Sequence, residues 1–372
     1  MTTAASLPRL GDLLAVWGDA TPSDESLARA WRRADETAFW FSRSAWALAA
    51  LVRCRRQALN GRRPRLWLPD YFCNQSTEPT RAEGADLVFY PIGPELKPRW
   101  EECARLATET PPDLFVLVHF FGAAGPATAA RDFCRGHDAL LVEDAAHVLR
   151  PAPGIGEVGD AVFYSPHKLL AVPDGALLLI RQAGLAADIG NAARALGDAR
   201  PASVPWLVRR LAQKMLPDAL LRLRIASGGL AFDQDPPFTA LPRTPGPSAL
   251  GRRLLARELP RIDAIAAARG QRAEALGQDL VSTHDVRLFA PARAATVPYR
   301  LVLDCGDPAN ARRCYTDWRR RGLPVETWPD MAPEVLARPE FHADALRLRR
   351  TLLFVPIHQG PVHRRSSSSA TG

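Results

Sequence analysis

One lysine in this sequence lies where an amine could do chemistry. The chain has 48 lysines and arginines, yet only three are lysines: Lys97, Lys168 and Lys214. Lys168 ends the stretch Ser165-Pro166-His167-Lys168, between two apolar runs. Arginine serves most surface roles, but only lysine has an amine that can lose its proton and attack a carbonyl. The position therefore predicts that Lys168 forms an imine with a carbonyl compound.

Two carboxylates and a histidine precede this lysine. An apolar run ends at Glu143 and Asp144, and His147 follows about one helical turn later. Pyridoxal phosphate (PLP) needs a lysine, an acid that keeps its pyridine nitrogen protonated, a phosphate site and a flat group against its ring. Lys168 and Asp144 are candidates for the first two roles. His147 could hydrogen-bond the ring hydroxyl or lie against the ring.

A serine-rich turn is the candidate phosphate site. Ser42-Arg43-Ser44 precedes a helix that is predicted over residues 45–59. Free N–H groups at a helix N-terminus suit a phosphate. An ordinary N-cap would give the same sequence pattern. Ser44, Ala45 and Ser165 are therefore candidate phosphate ligands, with both interpretations of the turn left open.

Apolar segments alternate with helical ones in the first half of the chain. Several helices of ten or so residues separate the predicted strands, which cover residues 66–69, 86–91, 113–119, 139–143, 161–164 and 176–180. This order predicts an α/β fold with a mostly parallel central sheet and helices on both faces. Ligands of such sheets bind at the carboxyl ends of strands, where His119 and Asp144 fall.

The chain divides into four predicted parts. Residues 1–245 form a large domain, which begins with a mainly helical segment over 1–37 and a short entry segment at 38–41. Residues 246–280 form a long connecting helix, interrupted near Pro260. Residues 281–360 form a small α+β domain with strands at 297–304 and 352–355. The serine-rich tail, 361–372, is predicted to be disordered.

A basic amphipathic helix is predicted near residues 204–215, with Pro217 interrupting it. Such a helix could touch a membrane surface or an acidic partner. Packing at a subunit interface or over the active site is favoured, because apolar stripes of this kind are ordinary in soluble proteins.

The composition limits the classes of protein. The formal net charge of +8 rests almost wholly on arginine, but acidic residues accompany the arginines along helical patterns and no aromatic–basic RNA motif appears, so no nucleic-acid partner is expected. No run approaches the roughly 18 apolar residues of a membrane span. The six cysteines lack CxxC spacing, so we expect no metal site and reduced thiols in a cytoplasmic protein.

Several stretches resemble the DegT/DnrJ/StrS aminotransferases, the sugar aminotransferases of PLP fold type I. VLVHFFGAAGPATAARDFCRGHDALLVEDAAHVL is similar to their strand ending VH-x-x-G, helix, and strand ending EDAA. GDAVFYSPHK resembles their cofactor-lysine segment, two residues shorter. Weaker similarities follow in the family's order: SRSAWAL, PDYFCNQS, VPYRLVLD, RRRGLPVETW and FVPIHQG.

The resemblance implies a reaction, a cofactor and an assembly. It implies that PLP carries an amino group, usually from glutamate, to a keto-sugar on a nucleotide, in polysaccharide or secondary-metabolite biosynthesis, and that the protein is a homodimer acting on small molecules. By position, Lys168 takes the imine, Asp144 the pyridine nitrogen and His147 the ring hydroxyl. Ser44, Ala45 and Ser165 take the phosphate.

The sequence departs from the family at four places. Arg43 replaces a usual glycine, and could bind a phosphate or carboxylate or crowd the site. Cys73 falls where an aromatic is usual, which leaves Tyr71 or Phe72 as the flat group, with Phe72 taken as the candidate. Ala195-Leu196 replaces a polar pair that contacts the partner subunit's cofactor phosphate. PDGA replaces GEGG after the lysine.

Two other classes of function stay open. One is a different PLP enzyme on the same fold, an amino-acid transaminase or a sugar dehydratase; the retained Lys168 argues against the dehydratase, which has histidine there. The other is a non-catalytic relative that acts as a scaffold or regulator.

Overall fold

The structure, a computed structural model, describes residues 6–227, 232, 240–328 and 330–358. Its strands are β1 (Thr37–Phe41), β2 (Arg65–Pro69), β3 (Asp86–Tyr90), β4 (Leu114–Val118), β5 (Leu140–Ala145), β6 (Ala161–Tyr164), β7 (Ala176–Ile180), β8 (Arg287–Leu288), β9 (Leu301–Asp304) and β10 (Leu352–Val355). The helices are α1 (Leu10–Ala15), α2 (Asp24–Ala28), α3 (Ser44–Ala58), α4 (Glu78–Ala82), α5 (Trp100–Glu109), α6 (Ala127–Gly136), α7 (Pro166–Leu169), α8 (Ala183–Leu196), α9 (Val204–Met215), α10 (Asp218–Ser227), α11 (Ala249–Glu258), α12 (Ile262–Thr283), α13 (Ala290–Arg293), α14 (Pro308–Arg320), α15 (Pro333–Leu336) and α16 (Ala343–Thr351).

Seven strands form the central sheet, in the order β1-β7-β6-β5-β4-β2-β3. Only β7 runs antiparallel to its neighbours, β1 and β6; the other pairs are parallel. The carboxyl ends of β4, β5 and β6 therefore lie side by side at one edge. This is the mostly parallel α/β fold that the sequence predicts.

Alternation along the strands buries both faces of this sheet. In β7, Leu178 and Ile180 pack into the apolar cluster that contains residues of α3 and α6. Leu177 and Leu179 point the other way, into the cluster that contains residues of α1, α2 and α11. Burying each leucine side chain contributes about 1.5–3 kcal/mol. Because helices cover both faces of the sheet, every side chain of β7 is buried, and the strand is apolar throughout.

A second, three-stranded antiparallel sheet lies in the C-terminal region, in the order β10-β9-β8. Its own apolar core includes Leu303, Leu353 and Trp318 of α14. This sheet and its helices are the small α+β unit of the predicted fold class. The exact domain boundaries remain a prediction, and the predicted disordered tail, 361–372, lies outside the described residues.

The N-terminal region differs in detail from the prediction. The segment at 38–41 is not a simple entry segment but belongs to β1, which pairs with β7 along its whole length. Within 6–37, helix is confined to α1 and α2, less than predicted. Trp31 follows α2, donates its indole N–H to the Leu149 carbonyl (2.9 Å) and packs edge-on to Trp40. These long-range contacts outweigh helical propensity.

The helices of the connecting region and the basic amphipathic helix lie close to their predicted positions. The interruption near Pro260 is a 3₁₀ turn, Leu259–Arg261, between α11 and α12. Helix α9 ends at Met215, two residues before Pro217. Along the described parts of the chain, no helix is both long and apolar enough to cross a membrane.

Candidate active site

A cavity of about 740 Å³ opens at the carboxyl ends of β4, β5 and β6. Its lining contains Asp144 at the end of β5 and Lys168 on α7, directly after β6. The first residues of α3, Ser44 and Ala45, also line it. The structure thus brings together residues that lie more than 120 positions apart in the chain.

Lys168 lies on a single helical turn. Pro166 begins this turn, α7, with a backbone angle already suited to a helix, and the backbone N–H of Lys168 donates to the Ser165 carbonyl (2.9 Å). Within the described residues, the Lys168 amine has no hydrogen bond and no ion pair. The side chain therefore reaches the cavity with its amine uncommitted.

Asp144 offers one free oxygen to the same cavity. Its Oδ1 accepts the backbone N–H of Ala146 (2.8 Å), whereas Oδ2 has no partner among the described residues. Burial raises the pKa of Asp144, and the positive charge of Lys168 acts against that rise. A cationic ligand atom beside Oδ2 would favour the charged carboxylate.

The neighbouring carboxylate, Glu143, points to the opposite face of β5 and has a structural role. It accepts hydrogen bonds from His119 Nε2 (2.9 Å) and from the backbone N–H groups of Gly156 (2.7 Å), Val158 (2.9 Å) and Gly159 (2.5 Å). Burial tends to raise the pKa of Glu143, but these bonds outweigh it and lower the pKa to about 2. Glu143 therefore holds the loop between β5 and β6.

His147 is held with a fixed tautomer. Its Nδ1 accepts the backbone N–H of Phe121 (3.2 Å), so the ring hydrogen of the neutral imidazole lies on Nε2. Burial, followed by the charges of Lys168 and Arg300, lowers the pKa of His147 well below its usual value. The side chain is therefore a neutral N–H donor at the cavity wall.

Aromatic rings flank the imidazole of His147. The Tyr299 ring lies parallel to it at 4.2 Å with an interplanar angle of 5°, and Phe121 is also nearly parallel at 5.8 Å. A flat ligand cannot use the face that Tyr299 covers. Of the two roles predicted for His147, the geometry favours the hydrogen bond from Nε2 over packing against the ring.

The start of α3 carries unused N–H groups. The N-cap position is Arg43, whose side chain makes no capping bond, and the N–H groups of Ser44 and Ala45 have no acceptor among the described residues. Such a helix start attracts an anion. The arrangement supports the phosphate interpretation of this turn, although the ligand roles of Ser44 and Ala45 stay predictions.

Ser165 lies beside the cavity and not in its wall. Its side chain is completely buried, and its hydroxyl has no partner within the described residues. The phosphate role of Ser165 stays a prediction.

Two neighbouring aromatics after β2 have different surroundings. Tyr71 stacks on Trp328, with ring centroids 4.1 Å apart and an interplanar angle of 26°. Phe72 lines the cavity and makes no ring contact with another described aromatic residue. Phe72 therefore has a face available for a flat ligand, which supports its choice over Tyr71 as a candidate.

No sequence pattern points to the residues that hold the turn after β2. The Asp330 carboxylate accepts the backbone N–H groups of Asn74 and Gln75 (both 3.1 Å) and the Cys73 thiol (3.2 Å). His342 contacts buried Asp70 through a 2.9 Å hydrogen bond. These partners lie more than 250 residues away in the chain, and no spacing rule connects them.

Two further features bear on the site. Ala195 and Leu196, which end α8, do not line the cavity of this single chain. Within the part of the chain that the structure describes, no group of three or more histidine, cysteine, aspartate or glutamate residues is arranged to hold a metal ion.

No protein-family model matches this sequence, and neither does any curated protein. Solved structures do match. The aminotransferase TlmJ from Streptoalloteichus hindustanus is 20% identical, with 96% of this chain and 88% of that chain covered and a TM-score of 0.62. Helicobacter pylori PseC, an aminotransferase involved in the biosynthesis of pseudoaminic acid, is 12% identical over 97% and 95% of the two chains, with a TM-score of 0.67.

A third match is DesI, solved in the presence of its TDP-sugar product; it is 16% identical over 96% of this chain and 82% of that chain, with a TM-score of 0.63. A DegT DnrJ EryC1 StrS aminotransferase from Brucella abortus is 14% identical over 94% and 91%, with a TM-score of 0.64. At these identities the likeness establishes the fold. This chain has the fold of these aminotransferases over nearly its whole length.

Proposed function

We propose that this protein is a PLP-dependent aminotransferase of the DegT/DnrJ/StrS type, which moves an amino group from glutamate to a keto-sugar carried on a nucleotide. One observation carries the proposal. The Lys168 amine, Asp144 Oδ2, the His147 Nε2–H group and the first N–H groups of α3 all line one cavity without partners of their own among the described residues.

These free groups fit PLP in number and in kind. Lys168 would hold the cofactor covalently, Asp144 would face its pyridine nitrogen, His147 would donate to its ring hydroxyl, and the start of α3 would bind its phosphate. Phe72 would lie against the ring. Bound there, PLP would supply an electron sink for the carbon next to the transferred nitrogen.

The protein's own residues would then orient the ligand and move protons. A cationic ligand nitrogen beside Asp144 Oδ2 would keep that carboxylate ionised, against the rise in its pKa that burial causes. His147, held neutral by burial, would donate from Nε2. The Lys168 amine, which has no ion pair with a described acid, would take up and return a proton as the general base.

Similar proteins support the choice of substrate. DesI was solved in the presence of its TDP-sugar product, and PseC is involved in the biosynthesis of pseudoaminic acid, so a nucleotide-linked keto-sugar is the favoured acceptor. We further propose that the protein is a cytoplasmic homodimer, active in polysaccharide or secondary-metabolite synthesis. We also propose the large domain, connecting helix and small domain with the boundaries 1–245, 246–280 and 281–360.

A half-reaction tests the proposal. PLP added to the purified protein should give the visible absorbance of a lysine-bound cofactor. Glutamate should then remove that absorbance and form one 2-oxoglutarate per site, because the amino group stays on the enzyme. If the absorbance forms but no amino acid removes it, the protein is a different PLP enzyme. If wild type takes up no PLP, a non-catalytic relative is the remaining interpretation.

A further inference from the structure

Arg43 brings an unpaired positive charge to the cavity. Its side chain lines the cavity next to the start of α3 and forms no hydrogen bond or ion pair with the described residues. The nearby Asp174 carboxylate is already engaged, since it accepts the backbone N–H (2.8 Å) and the hydroxyl (2.5 Å) of Ser248. A partly buried guanidinium without an acid partner is costly unless an anion binds it.

His167 lies beside Arg43 with one free nitrogen. Its Nδ1 donates to the Gly175 carbonyl (2.9 Å), since a carbonyl oxygen only accepts, and Nε2 has no partner in the described residues. Burial, followed by the charge of Arg43, lowers the pKa of His167 well below its usual value, with a smaller contribution from Lys168. These surroundings keep the His167 imidazole neutral.

We propose that Arg43 and His167, together with the first N–H groups of α3, bind the phosphate of a phosphorylated ligand, and that His167 takes up a proton when the phosphate binds. Arg43 supplies a permanent charge. His167 becomes a second donor, from Nε2, once the dianion offsets the charges of Arg43 and Lys168. The identification of the ligand as PLP rests on the proposed function.

A phosphate fits the part of the cavity around Arg43 and the start of α3 better than the carboxylate of an amino donor does. The hydrogen-bond donors there are the Arg43 guanidinium, two backbone N–H groups, the Ser44 hydroxyl and Nε2 of His167. Three phosphate oxygens can use that many donors, whereas a carboxylate has two oxygens in one plane. Arg300, which also lines the cavity, is already paired with Glu326 (3.1 Å).

Two ligands that differ only by the phosphate isolate this contact. Neither pyridoxamine 5′-phosphate nor pyridoxamine has an aldehyde, so Lys168 cannot react with them. Arg43→Ala should weaken binding of the phosphorylated ligand by about 10- to 100-fold and that of pyridoxamine by less than about 3-fold, by calorimetry. Arg43→Lys should restore part of the loss and covers the case in which the alanine variant does not fold.

Arg300→Ala is the matched control, because it removes a cavity arginine that already has an acid partner. It should leave the ratio of the two dissociation constants unchanged. Equal weakening of both ligands by Arg43→Ala, or no weakening, would overturn the phosphate assignment. Unchanged pyridoxamine 5′-phosphate binding combined with a higher glutamate requirement would assign Arg43 to the donor carboxylate instead.

Proton uptake tests His167 separately. Titrations in two buffers of different ionisation enthalpy count the protons bound with each ligand. Wild type should take up more protons with pyridoxamine 5′-phosphate than His167→Gln does, and its affinity should rise more steeply as the pH falls from about 8.5 to 7, above the second phosphate pKa of about 6. Equal uptake by the two proteins would exclude this role.

The proposed function and this inference can fail independently. If wild type binds neither pyridoxamine nor its phosphate, the PLP proposal fails. The Arg43 site is then tested with inorganic phosphate, which should bind wild type at least about 10-fold more tightly than Arg43→Ala. Equal binding of phosphate would overturn the inference as well.

Discussion

Two sides of the cavity are built in different ways. The floor, defined as Asp144, His147 and Lys168, comes from one continuous stretch of chain, 140–169. The aromatic wall, defined as Tyr71, Phe72 and Trp328, joins a turn after β2 to a segment more than 250 residues later. Neighbouring strand ends position the floor, whereas contacts between the turn after β2 and residues far along the chain position the wall. Local sequence therefore determines the floor but not the wall.

Removing the charge of Glu143, which anchors the loop between β5 and β6 beside the floor, should have the largest effect on stability. Glu143→Gln should lower the free energy of unfolding at pH 7 by about 3 kcal/mol, because the pKa of Glu143 falls from 4.5 to about 2 on folding. Chemical denaturation with a two-state fit measures this. The matched control is Glu157→Gln, an exposed glutamate in the same loop, which should cost less than about 0.5 kcal/mol.

The pH dependence of this effect has a definite sign. A pKa that is lowered on folding gives stability above the unfolded-state pKa, and that stability is lost as the pH falls through the folded-state value. Wild type should therefore lose the contribution of Glu143 between about pH 4.5 and 2, and Glu143→Gln should lose less over that range. Parallel curves for the two proteins would show that Glu143 is not the anchor.

Loosening the wall should have a smaller and more local effect. Asp330→Asn removes the charge that accepts the N–H groups of Asn74 and Gln75. It should cost about 1–2 kcal/mol and speed hydrogen exchange over residues 71–75 by about 10-fold, because the turn then opens without global unfolding. Exchange over residues 141–147, which include Asp144 and His147 of the floor, should stay unchanged.

Glu334→Gln is the control for the wall. This change removes an exposed ion pair with Arg81, which joins α4 to α15, and should alter hydrogen exchange in the turn by less than about 2-fold. If the two substitutions change hydrogen exchange in the turn equally, the buried hydrogen bonds from Asp330 are not what holds the wall. The negative charge of this region would then be responsible.

The same distinction separates what the sequence could predict from what it could not. Asp144 and Lys168 follow apolar strands, so their types and spacing predict their meeting at one sheet edge. The edge strand β1 is short, and its antiparallel pairing with β7 depends on residues about 140 positions away, so it was predicted only as an entry segment. Asp330 cannot be predicted because its partners, two backbone N–H groups and the Cys73 thiol, lie more than 250 residues away in the chain.

The contacts of individual side chains also could not be predicted from the sequence. His147 had two possible roles until the position of Tyr299 favoured the hydrogen bond. Arg43 had three, as phosphate ligand, carboxylate ligand or obstruction. Because Ser248 engages Asp174, the charge of Arg43 has no acid partner among the described residues, which favours the two anion-binding roles. Such contacts come from packing between distant elements, which periodicity and spacing do not encode.

The attachment of PLP to Lys168 is the central claim, and the rarity of lysine makes it directly measurable. Borohydride reduction fixes PLP to the lysine that it has joined, and peptide mass spectrometry then identifies that residue. The label should fall on the peptide that contains Lys168 and spare exposed Lys97 and Lys214. A label on either exposed lysine alone, or none after saturation with PLP, would contradict the account.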